Sequence, residues 1–165
     1  MEQKHTISIL VNDEPGVLAR VANLMGQRGF NIDSITVGQS EEKGLSRMTI
    51  VTSADERMLE QVIKQFHKLI DVYKVTHLSQ AAFVGRELAL IKVEANPATR
   101  SEINGIIDPF RASIVDVSPT SLIIQVTGDS DKNDALIELL KPYGIKELSR
   151  TGVTAISRGA AFARV

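Results

Sequence analysis

The sequence has no cysteine and no tryptophan. Disulfides and thiolate metal centres are therefore excluded, and a reducing compartment is compatible with the chain. Aromatic residues make up only 4%, and no RNP1-like pattern supplies the stacked rings of an RNA-reading sheet. Charge of one sign is also missing: 19 Lys and Arg face 20 Asp and Glu, a formal net charge of −1. The basic residues are scattered, without the patch or stripe that nucleic acid demands. No apolar run approaches a membrane span, and the polar start MEQKHT is unlike a signal peptide. A soluble, cytoplasmic protein is expected, with neither a membrane nor a nucleic acid as partner.

What is present is a globular composition. Hydrophobic residues reach 43% and charged ones 24% over 165 residues, enough for one domain or two small ones. Two domains of about 80 residues would each be marginal alone, so each leans on a neighbour.

The pattern along the chain repeats once. HTISILV alternates around Ile7, Ile9 and Val11 and predicts a strand. Asp13, Glu14 and Pro15 suit a helix entry, and Val17, Leu18, Val21, Leu24 and Met25 form one apolar stripe. Gly29 behind Arg28 marks the helix end. FNIDSITV and LSRMTIVTS predict a hairpin across SEEKG, DERMLEQVIKQFHKLI a second helix, and DVYKVTHLS a fourth strand. The order β-α-β-β-α-β is a split βαβ unit, four antiparallel strands with two helices on one face.

LALIKVEA, PATRSEINGIIDPF, SIVDVSP, SLIIQVTGD, DKNDALIELLKPYG and KELSRTGVTAIS then repeat that order. The fold class is α+β, two ferredoxin-like units, with domains at 1–79 and 80–165 and a seam around SQAAFVGRE. An open four-stranded sheet has edge strands that invite pairing with another copy, so self-association is expected.

The stretch NDEPGVLARV carries the chemistry. Gly16 at a strand-to-helix junction lets a ligand reach main-chain amides, because no Cβ stands in the way. The first helical N–H groups lack internal partners and sit at the positive end of the dipole, so a carboxylate is their natural guest. Asp13 suits an ammonium group, and the amide of Asn31 both donates and accepts. An α-amino acid carries both charges on one carbon. Val17, Leu18 and Ile32 add an apolar wall that suits an aliphatic side chain. The plain alternative is that Pro15 and Gly16 simply make a turn.

Other residues read as structural. His5, His67 and His77 have no metal-ligand spacing, and no nucleophile–base–orienter trio can be drawn, so neither a metal nor a catalytic site is expected. Met25, Met48 and Met58 read as core or interface filler. Arg47 in LSRMT, and the arginines of ELSRTG and AISRGAAFAR, are either solvated charge or contacts with a partner chain.

NDEPGVLARV followed by RGFNIDSITV resembles the ACT domain, an amino-acid-sensing module. With GLSRMTIVT, EQVIKQFHKLIDVYKV and the closing SRGAAFAR, essentially the whole chain is similar to the small, regulatory subunits of acetolactate synthase. That resemblance implies an N-terminal ACT domain and a C-terminal ACT-like domain. It implies a non-catalytic chain that activates a large subunit carrying thiamine diphosphate, FAD and Mg²⁺, and that confers feedback inhibition by valine or a related branched-chain amino acid. No cofactor is implied in this chain itself.

Carried over by residue, the effector meets Gly16, the main chain of Val17 and Leu18, and Asn31 with Ile32, between ACT domains of two chains. Some members of the family carry Asn at the position of Asp13. The second unit reads EANPATR at the matching entry, without glycine, and no site is transferred there. The competing function is a stand-alone amino-acid-sensing regulator without an enzyme partner; a DNA-binding version would need a helix-turn-helix that the chain does not show.

Overall fold

The computed structural model describes residues 1–159. Its chain divides into two compact units, residues 1–84 with 153–159, and residues 85–152. No helix among the described residues is long and apolar enough to cross a membrane.

In the first unit β1 (Gln3–Asn12), α1 (Val17–Gln27), β2 (Ile32–Gln39), β3 (Leu45–Ala54), α2 (Glu56–His67) and β4 (Val72–His77) follow in order. The antiparallel sheet runs β2-β3-β1-β4, with Ile7 opposite Ile50 and Ile32 opposite Thr52. Alternate residues Ile7, Ile9 and Val11 of β1 bury one face against Val17, Val21 and Met25 of α1 and Leu59, Val62 and Phe66 of α2. Fully burying each such side chain contributes roughly 1.5–3 kcal/mol.

The two helices are specified differently. α2 begins where Asp55 Oδ1 accepts the Met58 amide at 2.7 Å, an N-cap of the common kind. α1 ends in a Schellman closure: Gly29 at φ +75° donates to Gly26 O, and Phe30 donates to Met25 O. Its start differs from the sequence expectation. The helix opens at Val17 with Gly16 as N-cap and no acidic residue in its first turn, so Asp13, Glu14 and Pro15 belong to the preceding turn. Leu18, expected on the buried stripe, is 45% exposed.

The second unit repeats the order with β5 (Phe83–Glu94), α3 (Arg100–Ile107), β6 (Ser113–Val117), β7 (Ser121–Gly128), α4 (Ser130–Leu140) and β8 (Ile145–Arg150), in sheet order β6-β7-β5-β8. Its core gathers Ala89, Ile91, Val93, Ile103, Ile107, Leu122, Ile124, Val126, Leu136 and Leu140.

Two boundaries depart from the sequence reading. β5 starts at Phe83, inside the stretch taken as a seam. KELSRTGVTAIS is two strands, β8 and β9 (Thr154–Ser157), separated at residues 151–153. Residues 153–159, which a boundary at 79/80 assigns to the second domain, cluster with the first unit. There Val153 and Ala155 pack with Val51 and Leu78, Thr36 Oγ1 donates to Val153 O at 3.2 Å, and the Arg158 amide donates to Ala82 O.

Candidate functional site

β1 ends on a main-chain clamp. The Asn12 amide donates to Asp71 O and the Asp13 amide to Gly44 O, both at 2.9 Å. The chain then turns through Pro15 and reaches Gly16 at φ +86°, ψ −10°, a conformation that costs an L-residue roughly 1–2 kcal/mol. The first helical hydrogen bond runs from the Arg20 amide to Gly16 O at 3.0 Å. The amides of Leu18 and Ala19 take no main-chain acceptor among the described residues, and no side chain caps this helix. The result is an open corner of N–H donors at a positive helix end.

Asp13 and Leu18 flank that corner at the surface. Val17 does not: its side chain is 2% exposed and lies in the core. Only its main chain is available to a ligand, so the apolar wall loses one expected member. Leu18, exposed beside the corner, keeps that role.

Asn31 and Ile32 lie at the other end of α1. In the sheet Ile32 faces Thr52, which faces His5 on β1, whereas the Gly16 corner follows Asn12. Seven residues of strand separate those levels, roughly 24 Å at 3.4 Å per residue. One amino acid cannot touch both sets within one chain. Asn31 is itself exposed and well held: its Nδ2 donates to Asp33 Oδ1 at 3.2 Å, and its carbonyl accepts Thr52 Oγ1 at 2.6 Å. The side-chain oxygen of Asn31 takes no partner among the described residues.

Beside the corner, Arg20 Nε donates to Asp71 Oδ2 at 2.7 Å. The guanidinium, with help from Asn12, holds the Asp71 carboxyl below the ordinary carboxylate range.

The sequence reading missed a histidine pair. His5 Nδ1 and His77 Nε2 are 3.2 Å apart, and His5 Nε2 lies 3.1 Å from Ala54 O. A proton on His5 Nε2 serves Ala54, which leaves His5 Nδ1 to accept from His77. The two rings line a cavity of about 350 Å³ with Lys4, Glu56 and Glu60. Burial, then the neighbouring His5, push the His77 pKa down, opposed by Glu56. Only the β1–β4 register, which sets Ile7 opposite His77, joins residues so far apart in sequence. His67 is on the exposed side of α2. No set of three His, Asp or Glu side chains is gathered for a metal among the described residues.

The arginines separate by environment. Arg47 is mostly buried and bonds Glu41 at 3.0 Å. Arg150 is tied to Glu87 at 2.7 Å and to Asp134 at 2.6 Å, a structural network inside the second unit. Arg158 Nε donates to Phe83 O. The arginine at position 164 lies outside the described residues.

Comparison with known proteins fits this architecture unit by unit. Residues 7–74 match the AHAS small subunit-like ACT domain, and residues 86–159 match the family described as the small subunit of acetolactate synthase. The probable acetolactate synthase small subunit of Methanothermobacter thermautotrophicus is 57% identical over 157 residues, covering 94% of each chain. The acetolactate synthase small subunit of Bacillus subtilis is 56% identical over 157 residues, covering 94% of this chain and 91% of that one. The crystal structure of the small subunit from Thermotoga maritima superposes with a TM-score of 0.87 at 44% identity, over 96% of this chain and 99% of that one. Both units, in order and over nearly their whole length, place the chain in the family of acetolactate synthase small subunits, the non-catalytic regulatory chains of an enzyme of branched-chain amino-acid biosynthesis.

Proposed function

We propose that this chain activates the large, catalytic subunit of acetolactate synthase and makes it sensitive to valine or a related branched-chain amino acid. The first unit, the ACT domain, senses the effector, and the second couples that signal to the enzyme. Thiamine diphosphate, FAD and Mg²⁺ belong to the large subunit, and this chain contributes no cofactor ligand.

One observation carries the reading. The open amide corner at Gly16 and the polar anchor at Asn31 sit at opposite ends of α1, so a single effector unites them only across two copies. β2 supports such an arrangement. It is an edge strand with β3 as its one neighbour, and Val37 on it is 47% exposed. Leu18, also exposed, stands on the neighbouring helix. An edge strand with apolar neighbours invites a second copy.

In that dimer the effector carboxylate lies on the amides after Gly16, with Asp13 toward its ammonium. Asn31 and Ile32 of the second copy close the other side. The effector favours whichever arrangement of the pair it binds better, and such coupling is worth about 1–3 kcal/mol. The test is reconstitution with the large subunit and measurement of acetolactate formation with and without valine. Activation without any response to branched-chain amino acids removes the sensing role. No activation at all favours the stand-alone regulator.

A further inference from the structure

The corner holds a second device, which the sequence reading passed over. Arg20 lies four residues beyond Gly16, so its side chain stands one turn on and leans back over the helix start. Its Nη1 lies 3.2 Å from the point where a Cβ on Gly16 would sit. Nε is occupied by Asp71 at 2.7 Å, and Nη1 has no acceptor among the described residues. A cation in the first turn of a helix opposes the helix dipole. Here one carboxylate, held below its ordinary pKa by this same guanidinium, offsets it along one edge of the fork only. The other edge carries Nη1 over the Gly16 corner.

We propose that Arg20 selects the effector by its carboxylate, with Asp71 as the residue that positions the guanidinium. A carboxylate seated on the helix amides takes Nη1 as a further, charge-assisted donor. The ligand class narrows accordingly to α-amino acids with a free carboxylate, and amides or decarboxylated amines of the same shape are rejected. The absence of a side chain at position 16 acquires a second reason besides its left-handed backbone: a Cβ there crowds Nη1. This proposal rests on the effector site described above and adds its selectivity.

Calorimetry of the full chain with valine and with valinamide tests it. Arg20→Gln lowers valine affinity roughly 10- to 100-fold, the loss of one charge-assisted bond, and lowers the valine-to-valinamide preference by a similar factor. Asp71→Asn moves both quantities the same way by less. Asn31→Ala weakens the two ligands alike and preserves the preference. Arg20 is half exposed, so the variant should fold, and circular dichroism checks that. Arg20→Lys, which keeps the charge without the fork, gives an intermediate loss and serves if the Gln variant is unstable. If wild-type protein binds valine and Arg20→Gln changes neither affinity nor preference more than twofold, the proposal falls while the effector site stands. If wild-type protein binds neither ligand, the effector site falls and takes Arg20 with it.

Discussion

The two units share one strand–helix order, yet the turns that lead into their first helices are built differently. At the entry to α3, Asn96 Oδ1 accepts the amides of Ala98 and Thr99 at 2.9 and 3.0 Å, Thr99 Oγ1 accepts the Asn96 amide at 3.0 Å, and Asn96 O accepts the Arg100 amide at 3.1 Å. Those bonds lock the turn ahead of the helix, although α3 itself, like α1, starts without a side-chain cap. At the entry to α1 the turn ends on Gly16 at φ +86°, with no side chain to bridge it. The later helices offer no such contrast, since Asp55 and Asp129 cap α2 and α4 in the same way, at 2.7 and 2.8 Å. The difference lies in the turn at the place where the first unit is proposed to bind an effector. A corner free of side chains admits a ligand to the helix amides, whereas a turn bridged by Asn96 and Thr99 fills that approach with its own groups.

The largest effect should come from erasing that contrast. Gly16→Asp puts a side chain and a negative charge where the effector carboxylate belongs, in a backbone conformation that any Cβ strains. Valine inhibition of the reconstituted enzyme should be abolished while activation persists. Normal valine sensitivity in that variant would falsify the corner as the effector site.

The ion pairs sharpen the comparison through stability. Glu87 in the second unit is buried, its side chain 6% exposed, and Arg150 is its charged partner. Arg150→Met leaves that carboxylate uncompensated and should cost about 3–5 kcal/mol, read as a lower urea midpoint. Arg20, half exposed, should cost about 1 kcal/mol or less when replaced by Gln, as surface pairs do. Equal losses would mean that Arg20 serves the fold as much as Arg150 does.

Asn31→Ala is intermediate. Removing one polar anchor should weaken valine binding by about 1–3 kcal/mol, with little change in stability because Asn31 is exposed. Calorimetry showing unchanged affinity would strike Asn31 from the site. The helix caps follow. Asp55→Ala and Asp129→Ala should each cost about 1 kcal/mol, nearly alike, since the two caps have matching geometry. A marked inequality would show that the units do not support their second helices in the same way.

These contrasts were unevenly legible in the sequence. The order of elements follows from alternation and helical spacing, and the Gly16 corner from a Pro-Gly pair ahead of an apolar stripe. Leu18 was misplaced because it adjoins Val17 on that stripe, and periodicity does not say where a stripe ends. The start of β5 was hidden by the small residues of SQAAFVGRE, which look like a linker. They are extended because Phe83 joins the cluster of Val51, Leu78, Val153 and Ala155, a contact between segments some seventy positions apart. The turn at Asn96 depends on which amides its side-chain oxygen reaches, and residue type alone does not fix that. Arg20 and the histidine pair were missed for a related reason. Each depends on a neighbour brought close by the fold, Asp71 in one case and the β1–β4 register in the other.

The smallest expected effect separates the units by acidity, because all three histidines lie in the first. His77 is held neutral by burial and by His5, so its folded pKa is below the ordinary value of 6.5. Above that value the unfolded and folded forms are both neutral there, and the contribution to stability is complete. As pH falls below it, the unfolded chain takes up a proton that the folded chain resists, and stability declines until the folded pKa is passed. The groups around the ring pull in opposite directions: burial and His5 on β1 disfavour the proton, while Glu56 on α2 favours it, and Lys4 and Glu60 line the same cavity. The urea midpoint should therefore fall between pH 7.5 and 5.5, and by less in His77→Gln, which has no proton to gain. Identical pH dependence in the two proteins would mean that the Ala54–His5–His77 chain admits a proton as readily as water does, and that acid does not distinguish the sensor from its neighbour.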